Sequence, residues 1–374
     1  MTRVRYAVVG AGLAGSAAAW QLARRGEDVT LLEALQPGHD RGSSHGSARI
    51  IRRAYPDRFH AALTGEAWQD WAQLEADSGE QIITRTGGLD FGLARDVPAI
   101  ARAQAAEGVP HTLYRAAEAR ERWPQFAFDT DVLHHPDAGV VDADLAVHTA
   151  IRRAAQLGAV VHSDWPVSAV RRRGTRYVLS SGAGHRAIEA DVVIVAAGPW
   201  LPELIGSLPL DARAFPQFQV SQQQVFHFRS RVQTGWPIFV HKETLSVYGL
   251  PGGRDVGPTM IKVAEHDGGR VTTASGRDGV VDPLARGRLI DYVSRYLPGL
   301  VPEPTHEATC LYTSTPSGNF LIDRIDGLVV LSPCSGHGAK FAPTVGRIAA
   351  ELATGTRTRT LPPFSFEAHT GAHV

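Results

Sequence analysis

Residues 6–33 read YAVVGAGLAGSAAAWQLARRGEDVTLLE. Tyr6 to Val9 is a short apolar run that stops at glycine, as a buried strand does. Ser16 to Arg25 is alanine-rich and predicts a helix, and Val29 to Leu32 predicts a second strand ending on Glu33. Between the first strand and the helix stands Gly10-Ala11-Gly12-Leu13-Ala14-Gly15. A GxGxxG spacing by itself is weak, because glycine is common. Here a strand precedes it, a helix follows it, and an acidic residue lies 21 positions beyond Gly12. The glycines let backbone approach a pyrophosphate at the helix N-terminus, and Glu33 can accept hydrogen bonds from an adenosine ribose. The stretch therefore predicts a βαβ dinucleotide unit with Gly10, Gly12, Gly15 and Glu33 as cofactor-binding residues. The same reading displaces a secretory signal, which Arg3, Arg5 and the apolar run to Ala19 superficially resemble.

Further along, Asp191-Val192-Val193-Ile194-Val195-Ala196-Ala197-Gly198 is a buried strand running into glycine, placed to rejoin the first sheet. Two strands precede it, with turns at Arg171–Gly174 and Ser180–Gly184. From about 215 to 307 polar and apolar residues alternate between many turns, with one helical stretch at Pro283–Tyr296, which predicts a mostly antiparallel sheet with a helix. A closing helix is expected from about Pro343 to Leu352. No repeat or Pro/Ser linker divides the chain, so the expected class is α/β with an α+β second domain. A Rossmann-like domain (1–85, 138–214 and 308–374) would be interleaved with a substrate-binding domain (86–137 and 215–307).

The chain has 374 residues, enough for two domains, with 43% apolar and 20% charged residues and no net charge: 38 basic side chains face 38 acidic ones. A neutral chain lacks the long-range pull on phosphate backbones or anionic lipid, so nucleic acid and membrane are not expected partners. The run Arg171-Arg172-Arg173 reads as a solvated hairpin end, and no 18-residue apolar run suggests a membrane span. Two cysteines make no disulfide framework, and no CxxC or HExxH spacing offers a metal site; a reducing cytoplasm fits best. One imbalance stands out. Only Lys242, Lys262 and Lys340 are lysines, leaving 35 arginines.

Four clusters have the residue types of a site. Gly42–Arg52 is a polar glycine-rich loop entering an apolar segment with Arg49 and Arg52 three apart; arginine's planar fork suits a carboxylate, although a pair of surface arginines reads the same way. Lys262 interrupts the apolar alternation of Met260–Ala264, as a catalytic lysine or an edge-strand lysine would. Cys310 lies in an apolar strand, where cysteine is ordinarily a small core residue. Ser335-Gly336-His337-Gly338-Ala339-Lys340-Phe341 is a glycine-rich turn with a lysine.

Together these segments resemble the monomeric sarcosine oxidase family of FAD-dependent amine oxidases, which includes N-methyltryptophan oxidase and pipecolate oxidase. The matching residues are the GxGxxG unit, Gly46-x-x-Arg49-Ile50-Ile51-Arg52-x-Ala54-Tyr55, Thr86-Gly87, Arg122-Trp123-Pro124, Cys310-x-Tyr312-Thr313, Phe320-Leu321-Ile322-Asp323 and Ser335-Gly336-His337-Gly338-x-Lys340-Phe341. The resemblance implies FAD held covalently through a thioether from Cys310 to the flavin 8α-methyl group. It implies that Arg52 and Lys340 grip the substrate carboxylate and that Lys262 activates oxygen beside the flavin. Tyr248, His266, Tyr312 and His337 would line the pocket, while Ser43, His45, Arg49, Gly336 and Gly338 would lie near the cofactor. Lys242 has no counterpart and is expected at the surface.

The activity implied is oxidation of a secondary (N-methyl or cyclic) amino acid by hydride transfer to flavin N5, followed by imine hydrolysis and reduction of O2 to H2O2, by a monomer. The sequence departs from the family at Ser44, Ala48 and Ala339; the last lacks the aromatic that precedes the lysine in relatives, which implies a roomier pocket than sarcosine needs. A flavin amine dehydrogenase and an oxidase of a larger amino-acid-derived metabolite are the alternatives.

Overall fold

The computed structural model describes residues 2–182, 186–233 and 235–371. Strand β1 (Thr2–Val9), helix α1 (Leu13–Arg24) and strand β2 (Val29–Leu32) form the expected βαβ unit. The helix begins three residues ahead of Ser16, so Gly15 lies inside it. Glycine disfavours helix in general, but here a Cβ on Gly15 would sit 1.8 Å from the Gly10 carbonyl oxygen. The helix can pass the turn only without that atom.

β1 pairs in parallel with β2 on one side and with Ala187–Val195 on the other, Tyr6 facing Val29 and Val192. The sheet continues through Val160–His162 beyond β2. On the other flank come Leu328–Ser332, again parallel, and the antiparallel strands Arg176–Ser181 and Val167–Arg173. The second expected turn, Ser180–Gly184, includes Ala183 and Gly184, which lie outside the described residues. α1 is alanine-rich because it is enclosed: Ala17, Ala18, Ala19 and Trp20 are all buried. Helix Ala342–Thr354 packs so closely on it that a Cβ on Gly346 would meet Ala17 at 2.7 Å.

A second, largely antiparallel sheet of nine strands runs from Arg270–Thr272 through Gln219–Ser230, Met260–Glu265, Ser246–Pro251 and Ile238–Lys242 to Gly88–Phe91, Val132–His135 and Thr112–Tyr114. Its long strand Leu300–Ser314 pairs along Gln219–Ser230, bringing Cys310 opposite Gln223. The boundary expected at 307/308 falls inside this strand. Helix Pro283–Tyr296 lies where the sequence places it, with the Asp282 side chain accepting the Leu284 N–H at 2.9 Å and proline in the first turn. A small third sheet joins β3 (Arg49–Arg52) to Ala138–Val141 and Ile83–Arg85. Among the described residues no helix is long and apolar enough to cross a membrane.

Candidate active site

The GxGxxG turn forms one end of a cavity of about 1240 Å³, larger than the roughly 300–1,000 Å³ of an ordinary small-ligand site. Gly10 has φ of +96°, and a Cβ there would lie 2.4 Å from the Ala196 carbonyl oxygen. Gly12 is the N-cap of α1 and has no side chain to satisfy the helix amides. One of these, Leu13 N–H, donates to Ser44 Oγ at 3.1 Å. At the end of β2, Glu33 accepts the Ala11 N–H at 2.7 Å and the Leu35 N–H at 2.9 Å. Burial opposes its charge, but these bonds and His39 hold the carboxyl below its usual range. Oε1 is shared by Leu35 and His39, while Oε2, which accepts only from Ala11, retains a lone pair for a ribose hydroxyl. The loop leading to β3 is fastened by Arg49, whose guanidinium donates to the carbonyls of Ala48, Ser43 and His45 at 2.9, 3.1 and 2.6 Å. Ser43 Oγ donates to the Leu311 carbonyl.

The other end of the cavity is cationic. Arg49 and Arg52 are three apart on a strand and so point to opposite faces. While Arg49 turns back on its loop, Arg52 lies over the Tyr55 ring at 5.0 Å and its buried Nη1 has no hydrogen-bond partner. Lys340 is 5% exposed, and its ammonium donates to the His337 carbonyl at 2.8 Å. Burial, then the Arg52 charge, pushes the Lys340 ammonium well below its ordinary range. No carboxylate pairs with either cation among the described residues. Tyr55 O–H bonds His337 Nδ1 at 2.9 Å, and His337 Nε2 bonds the Gly318 carbonyl at 3.0 Å. A carbonyl can only accept, so Nε2 carries the proton and Nδ1 accepts from tyrosine. Both His337 nitrogens are thus engaged within the protein.

Between the two ends stands Lys262, 7% exposed, with its ammonium on the Ala48 carbonyl at 3.1 Å. Burial, then the charge of Arg49, lowers it to about 7. Cys310, Tyr248, Tyr312 and His266 line the same space. Burial lowers His266 to about 4 and leaves it a neutral ring, 5.8 Å from the ring of Tyr312. Gly336, at φ of +73°, passes these two rings so closely that a Cβ would come within 2.6 Å of Tyr312 and 2.8 Å of His266. Gly338 also lines the cavity; Gly15 and His45 do not. His45 is enclosed beside it, its Nε2 unpartnered and its pKa lowered to about 3 by burial and by Arg49.

Several residues escaped sequence reasoning. Lys242 is not a surface residue: it is half-buried at the end of strand Ile238–Lys242 and lines the cavity with the other two lysines. The polar stretch Lys242–Thr244 hid this, because the strand enters the pocket one residue before its turn. Beneath Arg52 the fully buried Asp90 pairs with Arg95 (Nε–Oδ1 2.7 Å) and His135 (Nε2–Oδ2 2.9 Å). Burial raises the Asp90 carboxyl, yet Arg95, Arg52 and His135 outweigh it and keep the group ionised. Asp90→Asn, which strands Arg95, is expected to destabilise the fold by about 3 kcal/mol, seen as a lower midpoint in urea. An unchanged midpoint would show that the pair contributes nothing net. Among the described residues, the group of three metal-type donors, Asp129, His241 and Glu243, lies off the cavity; His241 there bonds Tyr292 at 3.0 Å and stacks on Phe91.

The turn that tolerates only glycine, the helix terminus with no side chain on its N-cap residue and the anchored Glu33 together fit FAD. The sequence matches the FAD dependent oxidoreductase family over residues 5–352. It is 31% identical over 364 residues to a peroxisomal sarcosine oxidase of Mus musculus, covering 92% of this chain and 90% of the relative. To a monomeric sarcosine oxidase of Streptomyces avermitilis it is also 31% identical, over 369 residues and 93% of each chain. The structure of NikD, an amino acid oxidase essential for nikkomycin biosynthesis, shares the fold at a TM-score of 0.84 and 24% identity, over 99% of this chain and 97% of that one. The chain belongs to the FAD dependent oxidoreductase family, as a sarcosine oxidase-like enzyme.

Proposed function

We propose that this enzyme oxidises a secondary amino acid, N-methyl or cyclic, and delivers the electrons to O2 as H2O2. The observation that carries the reading is the pair Arg52 and Lys340, two enclosed cations with no carboxylate partner among the described residues. An enclosed cation without a counter-ion is costly, and a substrate carboxylate relieves that cost only on binding. Lys340 spends one of its three N–H groups on the His337 carbonyl and keeps two for the substrate. His337, tied at both nitrogens, acts as a positioning residue that holds Tyr55 and presents that carbonyl. The cations also disfavour a protonated amine beside them, so the bound substrate is kept in the neutral form that can lose hydride. FAD supplies the electron acceptor for the C–H bond next to that amine, and water hydrolyses the imine product.

The sarcosine oxidases among the relatives support an N-substituted amino acid as substrate. Ala48 and Ala339, both lining the cavity, leave room beyond sarcosine's single methyl group. The two sheets are taken as the cofactor and substrate bodies, the cavity lying between them, in a monomer of a reducing compartment suited to two free thiols. A peroxide assay with N-methyl and cyclic amino acids, each beside its decarboxylated amine, tests the reading. Turnover is expected only with the carboxylate present, and equal turnover of the bare amines would sink it.

Covalent attachment of FAD through Cys310 belongs to the same proposal. Cys334 also lines the cavity, but burial pushes its thiol up, which disfavours its thiolate. Acid-precipitated protein is therefore expected to stay yellow, and Cys310→Ser to release its flavin into the supernatant. Free FAD from the unmodified protein would refute the linkage.

A further inference from the structure

All three lysines of a chain otherwise basic through arginine line one cavity. Two have places in the proposed chemistry, and Lys242 has none. Its backbone is fixed: it pairs with Ser246 across the hairpin, and its carbonyl accepts the Ala94 N–H at 2.9 Å. The Ser246 carbonyl in turn accepts the His266 N–H at 2.6 Å, so Lys242 and His266 lie on neighbouring strand ends at the cationic end. The charges of Arg95 and Arg52 act on Lys242 against that of Asp90, and those of Lys242, Lys340 and Arg52 act on His266 against that of Asp267.

The carboxylates that line the cavity are engaged elsewhere. Glu33 holds Ala11 and Leu35, Asp57 holds the His60 backbone and ring, and Glu203 holds Ser275. Asp90 is taken by Arg95 and His135. No hydrogen bond or ion pair engages the Lys242 ammonium among the described residues. A monocarboxylic substrate held by Arg52 and Lys340 has no second negative charge to offer it.

We propose that Lys242 is a specificity residue that receives a second carboxylate of the substrate, so that the preferred substrate is a secondary amino dicarboxylic acid. This rests on the carboxylate grip assigned above to Arg52 and Lys340. The second carboxylate can be carried on the Cα side chain or on the nitrogen substituent; both present the same charge to the same ammonium. The half-exposed position suits lysine, whose flexible stem lets the ammonium follow an anion at either site.

The test compares acid with amide in two matched pairs: N-methyl-L-glutamate against N-methyl-L-glutamine, and N-carboxymethylglycine against N-carbamoylmethylglycine. Peroxide formation gives kcat/KM, and ligand-induced shifts in melting temperature give affinity independently of turnover. At least one acid is expected to exceed its amide by about tenfold or more, which is 1.4 kcal/mol, and the pair that does so locates the second carboxylate. Lys242→Met is expected to bring that ratio to within about twofold of unity, and Lys242→Arg to keep it. A ratio is insensitive to partial loss of folded enzyme. Equal acid and amide with the wild type, or a preference that survives Lys242→Met, overturns the proposal for Lys242 and leaves the grip on the first carboxylate standing. Failure of all four compounds to shift the melting temperature or be turned over would overturn both.

Discussion

Arg52→Met is expected to lower kcat/KM for the amino acid substrate by roughly 30- to 700-fold and at the same time to raise the melting temperature of the substrate-free holoenzyme. Removing one partner of an enclosed, hydrogen-bonded charge pair costs about 2–4 kcal/mol, most of it because the other charge is left unmatched. In the complex the stranded group is the substrate carboxylate, so the loss falls chiefly on KM. Without substrate the sign reverses. The Arg52 guanidinium is enclosed, its Nη1 is unpartnered, and among the described residues no carboxylate pairs with it, the Asp90 beneath being bound to Arg95 and His135. Replacing a charge that forms no ion pair by an apolar side chain of similar length removes a desolvation cost of about 1–3 kcal/mol, against part of the Asp90 attraction and about 0.5–1 kcal/mol lost from the contact with the Tyr55 ring. The balance, roughly 0–2.5 kcal/mol, corresponds to a rise of at most about 3 °C in a chain of 374 residues. Steady-state kinetics and calorimetry on the same preparation check both halves. A fall in both quantities would make Arg52 a structural residue that braces Tyr55, and a fall in neither would remove it from the site.

How much of this was legible in sequence depends on the range of the interactions. The βαβ unit was legible because its logic is local: the glycines, the helix and Glu33 fall within 28 residues, and each position has its own steric or electrostatic reason. Helix Pro283–Tyr296 was legible for the same kind of reason, an aspartate cap followed by proline. The site is not local. Arg52, Lys242, Lys262, Cys310 and Lys340 come from five separate segments, and only strand register brings them to one cavity. The resemblance to a family supplied four of these positions. It could not supply Lys242, which has no counterpart there, nor the Asp90–Arg95–His135 cluster, whose members are ordinary polar residues until Val132–His135 pairs with Gly88–Phe91. The helix start at Leu13 was misplaced because propensity disfavours glycine in a helix, while close packing against Gly10 demands it.

Lys262→Met is expected to slow the reaction with oxygen by about 10³-fold while substrate still bleaches the flavin under anaerobic conditions. The first electron passed to O2 creates superoxide, and a fixed cation about 4 Å from it contributes roughly 4 kcal/mol at an effective dielectric near 20. The Ala48 carbonyl holds the Lys262 ammonium in place at 3.1 Å, so little reorganisation is needed as the charge forms. In the proposed grip the substrate carboxylate is held elsewhere, by Arg52 and Lys340, so the two halves of the reaction are expected to separate. A pH dependence follows from the same geometry. Burial, with the charge of Arg49, brings Lys262 down to about 7. A cation with a lowered pKa is present below that value and lost above it, so the rate of oxygen consumption by reduced enzyme should fall as pH rises through about 7. In Lys262→Met, with nothing there to titrate, that step should be flat. Stopped-flow mixing of anaerobically reduced enzyme with oxygenated buffer between pH 5.5 and 9, roughly the span over which such a group titrates, measures it directly. Equal slowing of flavin bleaching and oxygen consumption would place Lys262 in the substrate grip, and a wild-type rate rising with pH would show that the neutral amine is the form that acts.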